Sequence, residues 1–167
     1  MNVPLARAGA PALLWWVLGL SVVVAGLAAF LPDSGGEGGV LRFLPLVLTA
    51  GVLGLMFLMP RRLAYVLEPE ALVITYLTGQ VNLPLTGMTA WHTTGNLGLK
   101  MGGTGLPGYY TGNYLFHADG LKNVLAASSD TRNGVIVQQS GKTYFLTPAD
   151  PVSFVAELAR RGARVRE

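Results

Sequence analysis

Residues 100–120 read KMGGTGLPGYYTGNYLFHADG, and this stretch decides the fold of the chain. Within it GTGLPG, residues 103–108, matches the G-x-G-x-x-G pattern of a dinucleotide-binding loop. In such a loop the third glycine opens a helix whose first amides hold the pyrophosphate. Here Gly108 is followed by YYTGNYLF, which is rich in strand formers, and Pro107 lacks an amide that the phosphate needs. We therefore expect no nucleotide site and a domain built from β-strands.

Two uncharged segments in the first 62 residues predict membrane helices. The first, PALLWWVLGLSVVVAGLAAFL, covers residues 11–31, and the second covers about 41–59 with Arg42 at its edge. At about 1.5 Å per residue the first helix is about 32 Å long, which matches a hydrocarbon core of about 30 Å. A signal peptide cleaved after Ala28 is the alternative interpretation of the first segment. Residues 1–62 are predicted to form a membrane hairpin.

The arginines predict the orientation of this hairpin. Arg7 precedes the first segment, and Arg61 and Arg62 follow the second, whereas the connecting loop carries only Asp33 and Glu37. The positive-inside rule therefore places both termini in the cytoplasm and Arg61 and Arg62 at the membrane interface.

Small residues recur every fourth position along the two predicted membrane helices. They are Ser21, Ala25 and Ala29 on the first helix and Ala50 and Gly54 on the second. Small residues at this spacing allow helices to pack closely, within one chain or between chains. A homo-oligomer assembled through these faces is one possible consequence, and the general abundance of small residues in membrane helices is the other interpretation.

From residue 63 onward, short alternating runs bounded by turn residues predict seven or eight antiparallel strands. Hairpin turns are expected at Glu68-Pro69-Glu70, Thr78-Gly79-Gln80, Asp119-Gly120 and Ser140-Gly141. The run MTAWHTT, which begins at Met88, is expected to continue the third strand beyond a break at Gly87.

A single helix is predicted after the last strand. Asp150 is a suitable N-cap, Pro151 a suitable first helical residue and Gly162 a suitable terminator. The face expected to pack on the barrel carries Val152, Val155, Leu158 and Ala159. The expected architecture is a half-open antiparallel barrel closed by this helix.

Three stretches of the chain resemble the bacterial pleckstrin-homology (PH)-like domains that follow N-terminal membrane helices. They are the opening YVLEPEALVIT from Tyr65, the pattern G-x-G-x-P-G-x-x-x-G-x-[aromatic] from Gly103 to Tyr114, and the ending GKTYFLTPADPVSFVAELARR. The resemblance implies a mainly-β PH-like domain over residues 63–162, a basic tail at 163–167 and location in the bacterial inner membrane. One departure is Leu99-Lys100, where the family pattern has an arginine ahead of the glycines.

The glycine segment is the candidate interaction loop. Its members are Lys100, Gly103, Gly105, Pro107, Gly108, Tyr109, Tyr110 and Gly112. Several glycines and one proline predict a loop that turns repeatedly within few residues. Two interpretations stay open, a compact structural loop and a loop that faces a partner. Tyr109 and Tyr110 are expected to anchor it against the barrel or to present it.

The chain shows no combination of residues that is typical of an enzyme or a metal site. It has no cysteine, and its two histidines, His92 and His117, lack a second ligand at metal spacing. No basic stripe with interleaved aromatic residues points to nucleic acid. The acidic turn Glu68-Pro69-Glu70 disfavours a phosphoinositide headgroup at that site. We expect a non-enzymatic module without cofactor.

The favoured hypothesis is a membrane-anchored interaction module with an unknown protein partner. The partner would bind to the glycine loop or to an edge strand of the barrel. A lipid or small-ligand module at the barrel mouth and a homo-oligomeric membrane scaffold are the alternatives.

Overall fold

The computed structural model describes residues 1–6, 19, 21, 23 and 39–166 of the chain. The chain divides into two compact units, residues 1–8 with 59–167, and residues 9–58. Apart from the helical positions 19, 21 and 23, the first predicted membrane helix lies outside the described residues.

Helix α1, Gly39–Arg62, is 24 residues long and contains the second predicted helix. Its last turn carries Arg61 and Arg62, where cations suit the negative end of the helix dipole. Among the described residues no helix is long and apolar enough to cross a membrane. The predicted two-helix anchor is thus not supported there and stays a proposal.

The N-terminal residues join the domain as a strand, which sequence reasoning did not anticipate. A four-stranded antiparallel sheet has the spatial order β1-β2-β3-β4. Its strands are β1 Asn2–Val3, β2 Ala64–Leu67, β3 Ala71–Tyr76 and β4 Gly79–Pro84. The turn predicted at Glu68-Pro69-Glu70 is confirmed. The turn predicted at Thr78-Gly79-Gln80 lies at Leu77-Thr78 instead, because Gly79 and Gln80 already pair with β3.

The second sheet has seven strands in the order β11-β5-β9-β10-β8-β7-β6. They are β5 Thr89–Thr93, β6 Leu97–Leu106, β7 Tyr109–Phe116, β8 Asn123–Ser128, β9 Gly134–Gln139, β10 Lys142–Leu146 and β11 Arg164–Val165. The expected β7–β8 and β9–β10 hairpins are confirmed. MTAWHTT, which contains β5, was expected to continue the third predicted strand, now β4. This expectation is wrong, because β5 pairs with β9 in the second sheet.

The prediction of wholly antiparallel pairing is also wrong. β10 lies between β9 and β8 and runs parallel to β8, and β11 runs parallel to β5. Hairpin turns predict only the pairing of strands that are adjacent in sequence, and both parallel pairs join strands that are not. The tail that was expected to begin at residue 163 is thus partly a strand. Beyond it the Arg166 guanidinium lies 5.2 Å from the centroid of the Trp91 ring.

Apolar side chains pack on both faces of the seven-stranded sheet. Alternate residues of β9 belong to different clusters, Val135 and Val137 to one and Ile136 to the other. The first cluster also contains residues of the four-stranded sheet and of the C-terminal helix, so it is the main core. The second cluster contains Trp91 and Phe116 and forms a smaller core on the outer face.

Helix α2, Pro151–Arg160, begins at Pro151 as predicted and ends at Arg160, and Arg161 is its C-cap. The Asp150 carboxylate accepts a hydrogen bond from the Ser153 amide at 3.0 Å. At the other end the amide of Ala163 donates to the Leu158 carbonyl, and Gly162 has φ of +101°. These two features define a Schellman termination.

The predicted buried face of α2 is partly wrong. Val152 is 68% exposed and Ala159 is exposed, whereas Phe154, Val155 and Leu158 are buried. The Phe154 ring packs on Tyr65 with centroids 6.4 Å apart, so the aromatic contact turns this side of the helix toward the core.

Candidate functional site

The glycine segment is a long β-hairpin, so its interpretation as a repeatedly turning loop is wrong. β6 and β7 pair from Leu97↔Phe116 to Leu106↔Tyr109, with Pro107 and Gly108 as the only turn residues between them. Gly108 has φ of +83°, as the third position of a Pro-Gly turn requires.

The remaining glycines of the pattern allow the two strands of this hairpin to approach closely. Gly103 and Gly112 face each other in the register, and both have φ of +103°. A Cβ at Gly103 would overlap the Thr111 carbonyl, and one at Gly112 would overlap the Gly102 carbonyl. Gly105 leaves room for the hydroxyl of Tyr114, which donates to the Thr104 carbonyl at 2.8 Å.

The two tyrosines of the candidate site have different positions. Tyr109 is only 3% exposed and belongs to the main core. Its hydroxyl accepts a hydrogen bond from the Leu77 amide at 3.0 Å, so it ties the hairpin to the turn between β3 and β4. Tyr110 is half-buried against the outer core, and burial raises the pKa of its hydroxyl. Tyr109 is therefore an anchor of the hairpin and is not available to a partner.

Lys100 lies on the exposed side of β6, between Leu99 at 72% and Met101 at 66% exposure. The pairing of β6 with β7 shifts register between Leu97 and Lys100 and again between Lys100 and Gly102. Bulges and lysine on an outer strand are two means by which proteins prevent a further strand from pairing. This edge is therefore irregular between Leu97 and Gly102, whereas residues 102–106 pair with β7 without a further shift.

The other three sheet edges differ in how they are covered. β2 is covered by β1, and β5 is partly covered by β11. β4 pairs only with β3 among the described residues. It keeps register over all six residues from Gly79 to Pro84 and contains no charged side chain. β4 is therefore an open edge that is regular along its whole length.

The hydrogen-bonding groups of β4 that face outward can be derived from the register. The Leu85 amide donates to the Glu70 carbonyl at 2.9 Å, which makes these two residues a hydrogen-bonded pair. Such pairs alternate along an antiparallel ladder, so Gln80 and Asn82 direct their amides and carbonyls away from β3. Gln80 and Asn82 also have exposed side chains. Sequence reasoning missed both residues, because an uncharged strand residue gives no local sign that its edge is unpaired.

Two polar clefts flank the turn between β9 and β10. One, of about 290 Å³, is lined by Thr89, Gln138 and Lys142 among others. The second, of about 220 Å³, is lined by Asn113, Asn123 and Lys142 among others. Both are open and mostly polar, unlike the apolar pockets of about 300 to 1,000 Å³ that enclose most ligands. They do not favour a bound lipid chain.

The remaining residues considered for chemistry are the two histidines and Asp119. His92 and His117 are exposed. Asp119 accepts a hydrogen bond from the Trp91 indole at 3.1 Å, so this carboxylate has a structural partner. In the described part of the chain no three His, Asp or Glu side chains could hold a metal ion together. Arg61 and Arg62, the predicted interface residues, are exposed at the end of α1.

The sheets, the capping helix and the glycine hairpin define a PH-like domain. Residues 63–162 match the family described as Bacterial PH domain, which is more than half of the chain. The chain belongs to this family. No curated protein and no solved structure matches it.

Proposed function

We propose that this protein is a non-enzymatic interaction module, anchored in the bacterial inner membrane with its PH domain in the cytoplasm. The open edge of β4 receives an extended segment of a protein partner. The observation that supports this most directly is the contrast between the two uncovered edges, because β6 is bulged and carries Lys100 whereas β4 is regular. Pairing of an added strand supplies affinity through main-chain hydrogen bonds.

The chemistry of β4 indicates what the partner segment resembles. Along β4, Gln80 and Asn82 are exposed, Val81 is half-buried and Leu83 is buried. An added strand alternates in the same way, with apolar residues beside Val81 and uncharged polar residues beside Asn82. Pro84 ends the regular edge because it has no amide. The partner is therefore an extended, uncharged segment of about five residues.

The membrane anchor rests on the hydropathy of the first 62 residues. Residues 11–31 contain no charged side chain, and neither do residues 43–59. Arg7, Arg61 and Arg62 flank these segments, and the positive-inside rule places them in the cytoplasm. The partner is expected at the same membrane surface.

The first test places a photo-crosslinking amino acid at Gln80 of the full-length chain in native membranes. Val152, which is exposed on α2, is the control position. We expect a specific protein adduct from position 80 and none from position 152. Asn82→Pro removes an outward amide without breaking the pairs with β3, so the adduct is expected to fall at least about tenfold. Asn82→Thr keeps the amide and is expected to retain the adduct.

Other outcomes separate the alternatives. An adduct that persists in Asn82→Pro contradicts binding at the β4 edge. Recovery of lipid alone favours the lipid-binding alternative. An adduct only with a second copy of this chain favours the homo-oligomeric scaffold.

A further inference from the structure

The first six residues are attached to the PH domain along their whole length. The Leu67 amide donates to the Met1 carbonyl at 2.8 Å, and Val3 is buried in the main core. Farther along, the Ala149 amide donates to the Pro4 carbonyl at 2.8 Å. We call residues 1–6 the N-terminal strap.

A buried polar network holds the end of the strap. The Ala6 amide donates to the Thr147 carbonyl at 3.0 Å, and the Ser129 hydroxyl donates to the Ala6 carbonyl. The Thr147 hydroxyl in turn accepts the Ser129 amide at 2.8 Å. The Thr147 amide donates to the Tyr65 hydroxyl at 3.1 Å. Thr147 and Ser129 are buried, so loss of the strap removes two hydrogen bonds from this buried network, one to the Thr147 carbonyl and one from the Ser129 hydroxyl.

We infer that the strap is an integral strand of the PH domain, so that residues 7–62 leave and re-enter the same folded unit. A segment with both ends on one folded domain crosses a membrane an even number of times. This consequence rests on the proposed membrane anchor, whereas the strap itself does not.

The pairing of the strap with β2 also decides between the two interpretations of residues 11–31. Cleavage after Ala28 would remove β1, uncover β2 and take Val3 out of the core, so this segment is retained.

The chain offers a clean test because it contains no cysteine. Asn2 and Val66 are direct register partners next to the hydrogen-bonded pair Met1 and Leu67. Such a non-hydrogen-bonded pair has Cα atoms about 4.5 Å apart, within the range that a disulfide accepts. The full-length variant Asn2→Cys/Val66→Cys is oxidised in isolated membranes and digested with trypsin under non-reducing conditions.

We expect a disulfide between the peptide containing residue 2 and the peptide containing residue 66. The control variant Asn2→Cys/Gln80→Cys is expected to give none, because Gln80 lies on β4 at the opposite edge of the sheet. Absence of the Asn2–Val66 link, or membrane protein that lacks residues 1–28, overturns the inference.

Single variants Asn2→Cys and Lys142→Cys then test the crossing number with a membrane-impermeant maleimide. Both sites are exposed, and we expect both to be protected in intact cells and labelled after permeabilisation. Labelling of only one site in intact cells overturns the even number of crossings. Labelling of both sites supports the strap inference and contradicts the proposed cytoplasmic location, so the two failures can be distinguished.

Discussion

The glycines of the β6–β7 hairpin have different structural roles, which the sequence alone does not distinguish. Gly102 and Gly103 are neighbours, yet a Cβ at Gly102 meets open space, whereas one at Gly103 overlaps the facing carbonyl. Only Gly103 also has a positive φ. Gly103 is therefore the one of the two positions at which the backbone requires glycine.

We predict that Gly103→Ala destabilises the protein by at least about 1 to 2 kcal/mol, because the new methyl group meets both an unfavourable φ and a backbone carbonyl. Gly102→Ala is the matched control and should change stability by less than about 0.5 kcal/mol. Urea unfolding of the two full-length variants measures the difference. Equal midpoints would contradict this account of the glycine pair.

Tyr65 connects the main core with the segment that follows β10. Its hydroxyl donates to the Ala127 carbonyl and accepts the Thr147 amide. Burial raises the pKa of Tyr65 well above its ordinary value, and burial also raises the pKa of Tyr76 to about 12. The folded state therefore holds the Tyr65 proton more tightly than the unfolded chain does.

We predict that Tyr65→Phe costs about 1 to 3 kcal/mol at pH 7, because a buried amide and a buried carbonyl lose their partner. The raised pKa also makes the wild type lose stability as the pH rises above about 10, by up to about 1.4 kcal/mol per pH unit from this group. Unfolding midpoints between pH 8 and 11 should fall less steeply in Tyr65→Phe than in wild type. Tyr110→Phe is the control, because it removes a hydroxyl that is only half-buried. If the unfolding midpoints of wild type and Tyr65→Phe fell equally steeply with pH, the assignment to Tyr65 would be refuted.

In the secondary-structure elements, local residues set the ends of an element, whereas packing sets which of its faces is buried. Asp150 and Gly162 limit α2 as the sequence indicates, but the core selects which face is buried. Among the strands, β6 and β4 are both outer strands, and their difference lies in the bulges of β6. A partner strand is thus expected on one element and not on the other.

We predict that Asp150→Ala lowers the melting temperature by several degrees at pH 7, because the Ser153 amide loses its acceptor. The hydrogen bonds from Ser153 lower the pKa of Asp150, so its contribution is present above its ordinary pKa and is lost as the pH falls through the lowered value. Asp150→Asn keeps an acceptor and should retain most of the stability without this dependence on acid pH. Thermal unfolding at pH 3 and pH 7 compares the three proteins.

At the scale of the whole domain, both ends of the described chain are used to cover sheet edges. The N-terminal strap covers β2 and β11 covers part of β5, while β6 is irregular between Leu97 and Gly102. Among the described strands, β4 is an open edge that keeps its register along its whole length. The proposed binding edge and the inferred retention of the N-terminal segment thus rest on the same distribution of strand pairs, but they are tested by separate variants.

The sequence by itself determined the features that depend on neighbouring residues. These are the β-rich character after residue 63, the hairpin turns at Asp119-Gly120 and Ser140-Gly141, the caps of α2 and the match of residues 63–162 to the Bacterial PH domain family. Only the tertiary structure decided that β8 and β10 run parallel, that residues 2–3 pair with β2, and that Tyr109 is buried. The physical reason is that turns and caps are local hydrogen-bonding choices. Strand pairing and burial instead depend on residues tens of positions away, which no local pattern contains.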